Sequence, residues 1–340
     1  MKRHCRWPGT VLILSFSTWT AAAFQSPDTY AAGKSDLDHG NYAKAVEELT
    51  RADADAPGKT NALALRAKAL IHLDRFADAA DCLRDYLMNN PKSENARYLL
   101  GYVLFRQNLP RESLKSYTEA ARLHPPSADD LKIVGLDYVL LNDYPDAVKW
   151  LEVSVARDPG NAEATYHLGR AYYVQNTFDH AIRCFETVLR LNPRFAKAED
   201  NLGLAYEAKN QRELAEQCYR QAIEMGETAG KPEKDPYINL AELISHQGKD
   251  AEALDLLDQA ERIAGKSDRT QRLRGWIYTA QGKPVEAEAE LRAAIVSQPE
   301  NGSLHYLLGR VLMKQGRTAE AEKEFAQTRA LLGEHSSPVN

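Results

Sequence analysis

The stretch Ala162–Phe195, AEATYHLGRAYYVQNTFDHAIRCFETVLRLNPRF, is one period of a pattern that runs through most of this 340-residue chain. Leu168, Ala171 and Tyr172 put apolar groups at helical spacing in its first half. Ala181, Ile182, Phe185, Val188 and Leu189 do so in its second half. Asn176 falls in the turn between the two predicted helices. Pro193 stops the second helix, since it has no backbone N–H to donate and cannot continue the helical path. Gly169 and Ala181 have almost no side chain and let the two helices cross closely. A leucine at either position would overpack that crossing by roughly 1–3 kcal/mol.

Counted outward in blocks of 34 from Ser26, the same beat recurs nine times. The eighth slot holds Gly33, Ala67, Gly101, Gly135, Gly169, Gly203, Ala241, Gly275 and Gly309. Glycine makes up about 7% of average sequences, so seven in nine by chance is on the order of one in a few million. The twentieth slot holds alanine in every block except the third, which has Ser113. The thirty-second holds Pro57, Pro91, Pro125, Pro159, Pro193 and Pro299. A fixed period of this length defines a repeat array whose blocks gain stability by stacking on neighbours.

The period, the small residues at slots eight and twenty, the closing prolines and the tyrosines Tyr138, Tyr172, Tyr206 and Tyr278 at slot eleven resemble the tetratricopeptide repeat family. The resemblance spans Ser26 to about His335. It implies an all-α, right-handed superhelical solenoid of nine helix-turn-helix repeats, with a concave groove lined mainly by the first helices. Blocks one to six occupy 26–229 and blocks seven to nine 234–335. Between them 230–233 is an insertion, read as a longer inter-repeat loop. At the ends, Ala32 and Asp36 in the first block and Thr328 in the last read as polar caps. Residues 336–340 read as a loose tail.

Residues 1–23 read as a secretory signal peptide. Lys2, Arg3, His4 and Arg6 give a positive start, Val11 to Phe16 an apolar stretch, and Ala21, Ala22 and Ala23 a small-residue cleavage site. That apolar stretch is shorter than the ~20 residues a membrane span needs. Export to a periplasmic or extracellular space is therefore expected, with no membrane insertion of the mature chain. Removing Lys2, Arg3 and Arg6 from 43 basic residues leaves 40 against 48 acidic, a net charge of −8. An acidic surface repels phosphate backbones, so no nucleic-acid partner is expected. Cys82, Cys184 and Cys218 all fall at slot twenty-three. Equivalent slots of adjacent blocks lie roughly a helix-packing distance apart, too far for a Cys184–Cys218 bridge, and apolar filling is their expected role.

No catalytic constellation stands out. The histidines are scattered, no Cys-x-x-Cys or phosphate-binding Gly-rich loop occurs, and paired acids such as Glu47 and Glu48 lie on outer helix faces. Asn301-Gly302-Ser303 is a weak N-glycosylation match. Neither enzyme activity, a metal nor a cofactor is expected. Family geometry instead turns slots two, five, six, nine, twelve and thirteen toward the groove. In blocks three to five these include Tyr98, Tyr102, Phe105, Arg106, Lys132, Tyr166, His167, Arg170 and Tyr173. Aromatics interleaved with cations suit a protein partner's peptide segment, here acidic or C-terminal, although a slot-five tyrosine can equally pack against the neighbouring first helix. Glu242, Trp276, Arg310 and Met313 form a second, weaker group. The family's two-carboxylate clamp is not matched, and only Asn201 and Asn239 fit its asparagine ladder. The expected function is a non-catalytic interaction scaffold outside the cytoplasm. The alternative is an accessory subunit of an envelope enzyme or a secretion or pilus machine, docked through the convex face or the 230–233 loop. The sequence sets no oligomeric state.

Overall fold

The computed structural model describes residues 28–55 and 61–334. Residues 1–23, read above as a signal peptide, together with Pro57, His335 and 336–340, lie outside the described residues. Those described form 18 α-helices in consecutive pairs, with no strand among them, as an all-α repeat solenoid of nine hairpins requires. The chain divides into two compact units, residues 1–103 and 104–340.

The first unit holds α1 (Thr29–Asp38), α2 (Tyr42–Asp55), α3 (Ala62–His72), α4 (Phe76–Asn89) and the start of α5 (Glu94–Arg106). Ala45 and Leu49 build one apolar cluster with Ala62 and Ala69; Leu70, Leu83 and Val103 anchor the next. Asp36 is not a solvent-facing cap. It is buried, accepts a hydrogen bond from Asn41 Nδ2 at 3.2 Å and pairs with Lys44 at 3.2 Å. Burial of its carboxylate is thus offset within the first hairpin.

The second unit continues with α6 (Pro110–Ala121), α7 (Ala128–Leu140), α8 (Tyr144–Arg157), α9 (Ala162–Val174), α10 (Phe178–Leu191), α11 (Ala196–Ala208) and α12 (Arg212–Thr228). After a loop come α13 (Lys234–Ser245), α14 (Asp250–Ala264), α15 (Asp268–Ala280), α16 (Pro284–Ser297), α17 (Gly302–Lys314) and α18 (Thr318–Glu334). From α7 onward each first helix packs on its own second helix and on the second helix of the block before. The loop is a folded closure. Gly230 takes a left-handed φ of 65°, and Lys231 N donates to Gly226 O at 2.9 Å, which satisfies the last carbonyls of α12. One apolar cluster runs past it, from Ala215 and Tyr219 to Tyr237, Leu257 and Ile277. Thr328, expected as a polar end residue, is buried as well, and its hydroxyl donates to Gly302 O at 3.2 Å.

Two local rules write the hairpin. At slot fifteen every block has a left-handed residue: Gly40, Asp74, Asn108, Asn142, Asn176, Asn210, Gly248, Gly282 and Gly316. These are the residue types that tolerate positive φ. At slot eight the small residue faces the large side chain of slot twenty-four. A Cβ on Gly169 would stand 2.7 Å from the Phe185 ring, and one on Gly203 2.6 Å from that of Tyr219. The close approach is thus ring against glycine, in addition to the expected crossing of Gly169 with Ala181. The three cysteines described are free thiols, Cys82 and Cys218 buried and Cys184 half-buried, where burial pushes the Cys184 thiol up to about 11.

Candidate functional site

Tyr98 and Tyr102 belong to the first unit. Both are half-buried, and Tyr102 packs against the apolar cluster of α3 and α4. Phe105, half-buried, and Arg106, exposed, end α5 at the start of the second unit. The remaining five candidates lie on α7 and α9, and their environments differ sharply.

Lys132 of α7 is spent on its neighbours. Its ammonium donates to Glu163 of α9 at 2.8 Å and pairs with Asp129 at 3.1 Å. Burial alone would lower its pKa, but the two carboxylates outweigh it and hold the amine protonated above its usual range. Tyr166 is a core residue and not a binding surface. It is 8% exposed, with Phe185 at 6.0 Å and Phe195 at 5.1 Å between ring centroids, and its hydroxyl accepts from Asn201 Nδ2 at 3.3 Å. The block-to-block joint claims this slot-five ring, because Phe195 at the end of its own block and Asn201 of the next close over it. His167 is pushed down to about 4 by burial and by the Arg170 charge, so it is neutral at physiological pH.

Arg170 is different. Its guanidinium is exposed, lies 5.9 Å from the Tyr166 ring centroid, and forms no ion pair among the described residues. Beside it Tyr173 is half-buried, edge-on to Phe178 at 5.6 Å, and Val174 is 48% exposed. Leu140 of α7 is similarly open. Tyr173 also walls a cavity of about 390 Å³ with Leu204, Glu207, Asn239, Glu242 and Arg269. The first-helix face therefore offers an uncompensated cation, apolar surface and a polar recess.

A polar chain that sequence reasoning missed underlies that recess. Asn239 is 3% exposed; its Nδ2 donates to Asp200 Oδ1 at 2.7 Å while its Oδ1 accepts from Arg269 at 2.7 Å. Arg269 and Arg272 both hold Glu242, at 3.0 and 3.2 Å, and keep its carboxyl below the usual range against the opposing effect of burial. Asp200, desolvated, is pushed up to about 6 despite the Asn239 hydrogen bond. The signal was Asp200 at slot five, where tyrosine stands in four other blocks. Glu242 and Asn239 are thus internal struts. Of the second candidate group, Trp276 sits edge-on to His246 at 4.9 Å, while Arg310 lies 5.9 Å from the Tyr306 centroid with no ion pair among the described residues. Arg310 over Tyr306 repeats the Arg170 over Tyr166 arrangement, four residues apart on a first helix. The Asn301 amide is engaged locally, capping Ser303 N at 3.1 Å and donating to Gln298 at 2.9 Å.

Stacked helical hairpins with an adaptable face and no assembled reactive groups among the described residues define a repeat scaffold of the protein-interaction class. Comparison with known families agrees. Tetratricopeptide repeat models match residues 36–102, 162–195, 200–225 and 272–331, together more than half of the chain. The chain belongs to the tetratricopeptide repeat family, and no catalytic family is indicated. No curated protein sequence matches it. Among solved structures, the Cut9–Hcn1 hetero-tetramer of the APC/C is similar over 89% of this chain and 60% of that one, at 15% identity and a TM-score of 0.59. The C-terminal part of a repeat protein from Cytophaga hutchinsonii covers 82% of this chain and 99% of its own, at 18% identity and TM-score 0.53. A Pseudomonas aeruginosa pilF structure covers 61% and 92%, at 16% identity and TM-score 0.52. These likenesses are of fold. Among the described residues no helix is long and apolar enough to cross a membrane.

Proposed function

We propose that the protein is a non-catalytic scaffold acting outside the cytoplasm, which holds an acidic or C-terminal peptide segment of a partner protein on the first-helix face of the second unit. The observation that supports this is Arg170, an exposed guanidinium with no carboxylate partner beside the half-open Tyr173 and Val174. A partner carboxylate there gains a charge-assisted hydrogen bond without displacing an internal one. Lys132 offers no such vacancy. The test uses the full mature chain and fluorescent peptides, acidic, amidated and charge-neutral. Arg170→Glu lowers acidic-peptide affinity by about tenfold or more, the size of one charge-assisted contact. Lys132→Ala has less effect. Equal binding by Arg170→Glu, with helical content preserved, removes the assignment.

Export is supported by the charged, apolar and small-residue layout of residues 1–23. N-terminal sequencing of the protein from a fractionated producer cell checks it: a mature chain beginning at Phe24 outside the cytoplasm is expected, and an intact Met1 chain in the cytoplasm overturns it. The alternative reading, an accessory or assembly subunit of an envelope enzyme or machine, draws on the exposed loop 230–233 that separates α12 from α13. Lys231→Glu discriminates the two. Lost assembly with peptide binding intact favours the accessory role.

A further inference from the structure

The second-helix face carries a pocket that the repeat pattern itself explains. Slot twenty-eight is a large aliphatic residue in five blocks: Leu87, Val155, Leu189, Ile223 and Ile295 each pack against the apolar cluster beside them. In block three it is Ala121. There α6 also stops at that residue, after 12 residues against 14 in α4, α8, α10 and α16, ahead of the consecutive Pro125 and Pro126. The missing side chain and missing helical half-turn leave a cleft of about 360 Å³. Leu114 and Tyr117 of α6, Leu131 and Val134 of α7 and Trp150 of α8 wall it. Tyr138 joins Trp150 in the lining, so that wall is aromatic.

The volume falls within the ~300–1,000 Å³ typical of small-ligand sites, and the lining is apolar and aromatic with one charged group, the combination that such sites use. That group is Arg122, exposed at the C-cap of α6 and without an ion pair among the described residues. Tyr138, also in the lining, lies within the field of Asp146, Asp143 and Asp137. An anion is therefore favoured beside Arg122, the one charged side chain of the lining.

We propose that this pocket binds a small amphiphilic anion, a medium-chain carboxylate, whose hydrocarbon fills the space left by Ala121 and whose carboxylate meets Arg122. The site is separate from the first-helix face, so its failure leaves the peptide-binding reading untouched. The experiment is calorimetric titration of the full mature chain with sodium decanoate below its micelle threshold, with Trp150 emission as a second signal. Saturable one-to-one binding is expected. Ala121→Leu restores the side chain that five sister blocks carry and lowers affinity by about tenfold or more while keeping helical content, since burying each methylene contributes a sizeable part of such binding. Arg122→Gln weakens decanoate but not decanol. Should Ala121→Leu fail to fold, Thr118→Phe narrows the exposed mouth from α6 and is read the same way. No saturable heat, or undiminished binding by the filled variant, overturns the site. Decanol binding as tight as decanoate overturns the role of Arg122.

Discussion

Tyr219 fills the space above Gly203 so closely that one added methyl group would lie 2.6 Å from its ring. Three aromatic residues at slot twenty-four, Phe185, Tyr219 and Phe325, each face a glycine in their own block, at Gly169, Gly203 and Gly309; the fourth, Tyr117, shares its block with Gly101 in the sequence. Alanine at slot eight occurs only opposite leucine, as Ala67 with Leu83 and Ala241 with Leu257. A flat ring held on both sides has nowhere to move, whereas leucine has alternative rotamers. Gly203→Ala should therefore cost roughly 1–3 kcal/mol, measured by denaturant unfolding. Gly275→Ala, opposite Leu291, should cost less, and Tyr219→Leu should recover part of the Gly203→Ala loss. Equal costs at the two glycines would remove the ring from the explanation. The size requirement at slot eight was plain in the sequence. Its cause was visible only as a correlation between two columns sixteen residues apart.

Each first helix hands over to its second through a single left-handed residue, with slot sixteen bonding back to slot eleven, as Thr177 N does to Tyr172 O at 3.0 Å. Asn176 has φ 58°, a region that costs a side chain with a Cβ about 1–2 kcal/mol unless it is Asn, Asp or Gly. Asn176→Ala should lose about 1 kcal/mol and Asn176→Gly essentially nothing, as read from chemical unfolding midpoints. Helix existence, the turn and the proline stops were legible from block five alone. The partition of each helix between joint and open surface was not. Tyr166 and Arg170 share a helix face, yet Phe195 at the end of that block and Asn201 of the following one bury the first and leave the second open. Such closure depends on residues about 30 positions away, which a periodicity argument averages out.

Among the described residues, buried and half-buried carboxylates include two sets with opposite pH behaviour. Asp137 is fully buried; its Oδ2 accepts from Ser113 Oγ at 2.6 Å, its Oδ1 has no partner, and desolvation pushes its pKa up to about 7. Asp200 is raised to about 6. Both are raised above their unfolded value, so the folded state holds their protons more tightly, and their contribution to stability declines as pH climbs from about 4 to about 7. Glu242, Glu216 and Glu288 are instead held down by arginine and lysine partners, and their contribution is lost as pH falls below the ordinary carboxylate range. Thermal stability should thus peak in mildly acidic solution. Asp137→Ala, which gives slot ten the alanine of Ala69, Ala171 and Ala205, should raise Tm by a few degrees at pH 8 and by much less at pH 4.5. A gain of equal size at both pH values would mean that ionisation is not the cause.

The pairing of slot eight with slot twenty-four has a bearing on how such a chain changes length. Both halves of the fit lie inside one block, so duplicating, deleting or importing an intact block carries glycine and ring along as a sealed cassette. A crossover at a block joint keeps them together. One that falls between the two slots splits them, and can set the alanine of Ala67 or Ala241 beneath an aromatic ring. Chimaeras of this protein spliced at block joints should fold, while those spliced at the hairpin turns should tolerate only matched partners. Circular dichroism and thermal melting of the two series would separate them.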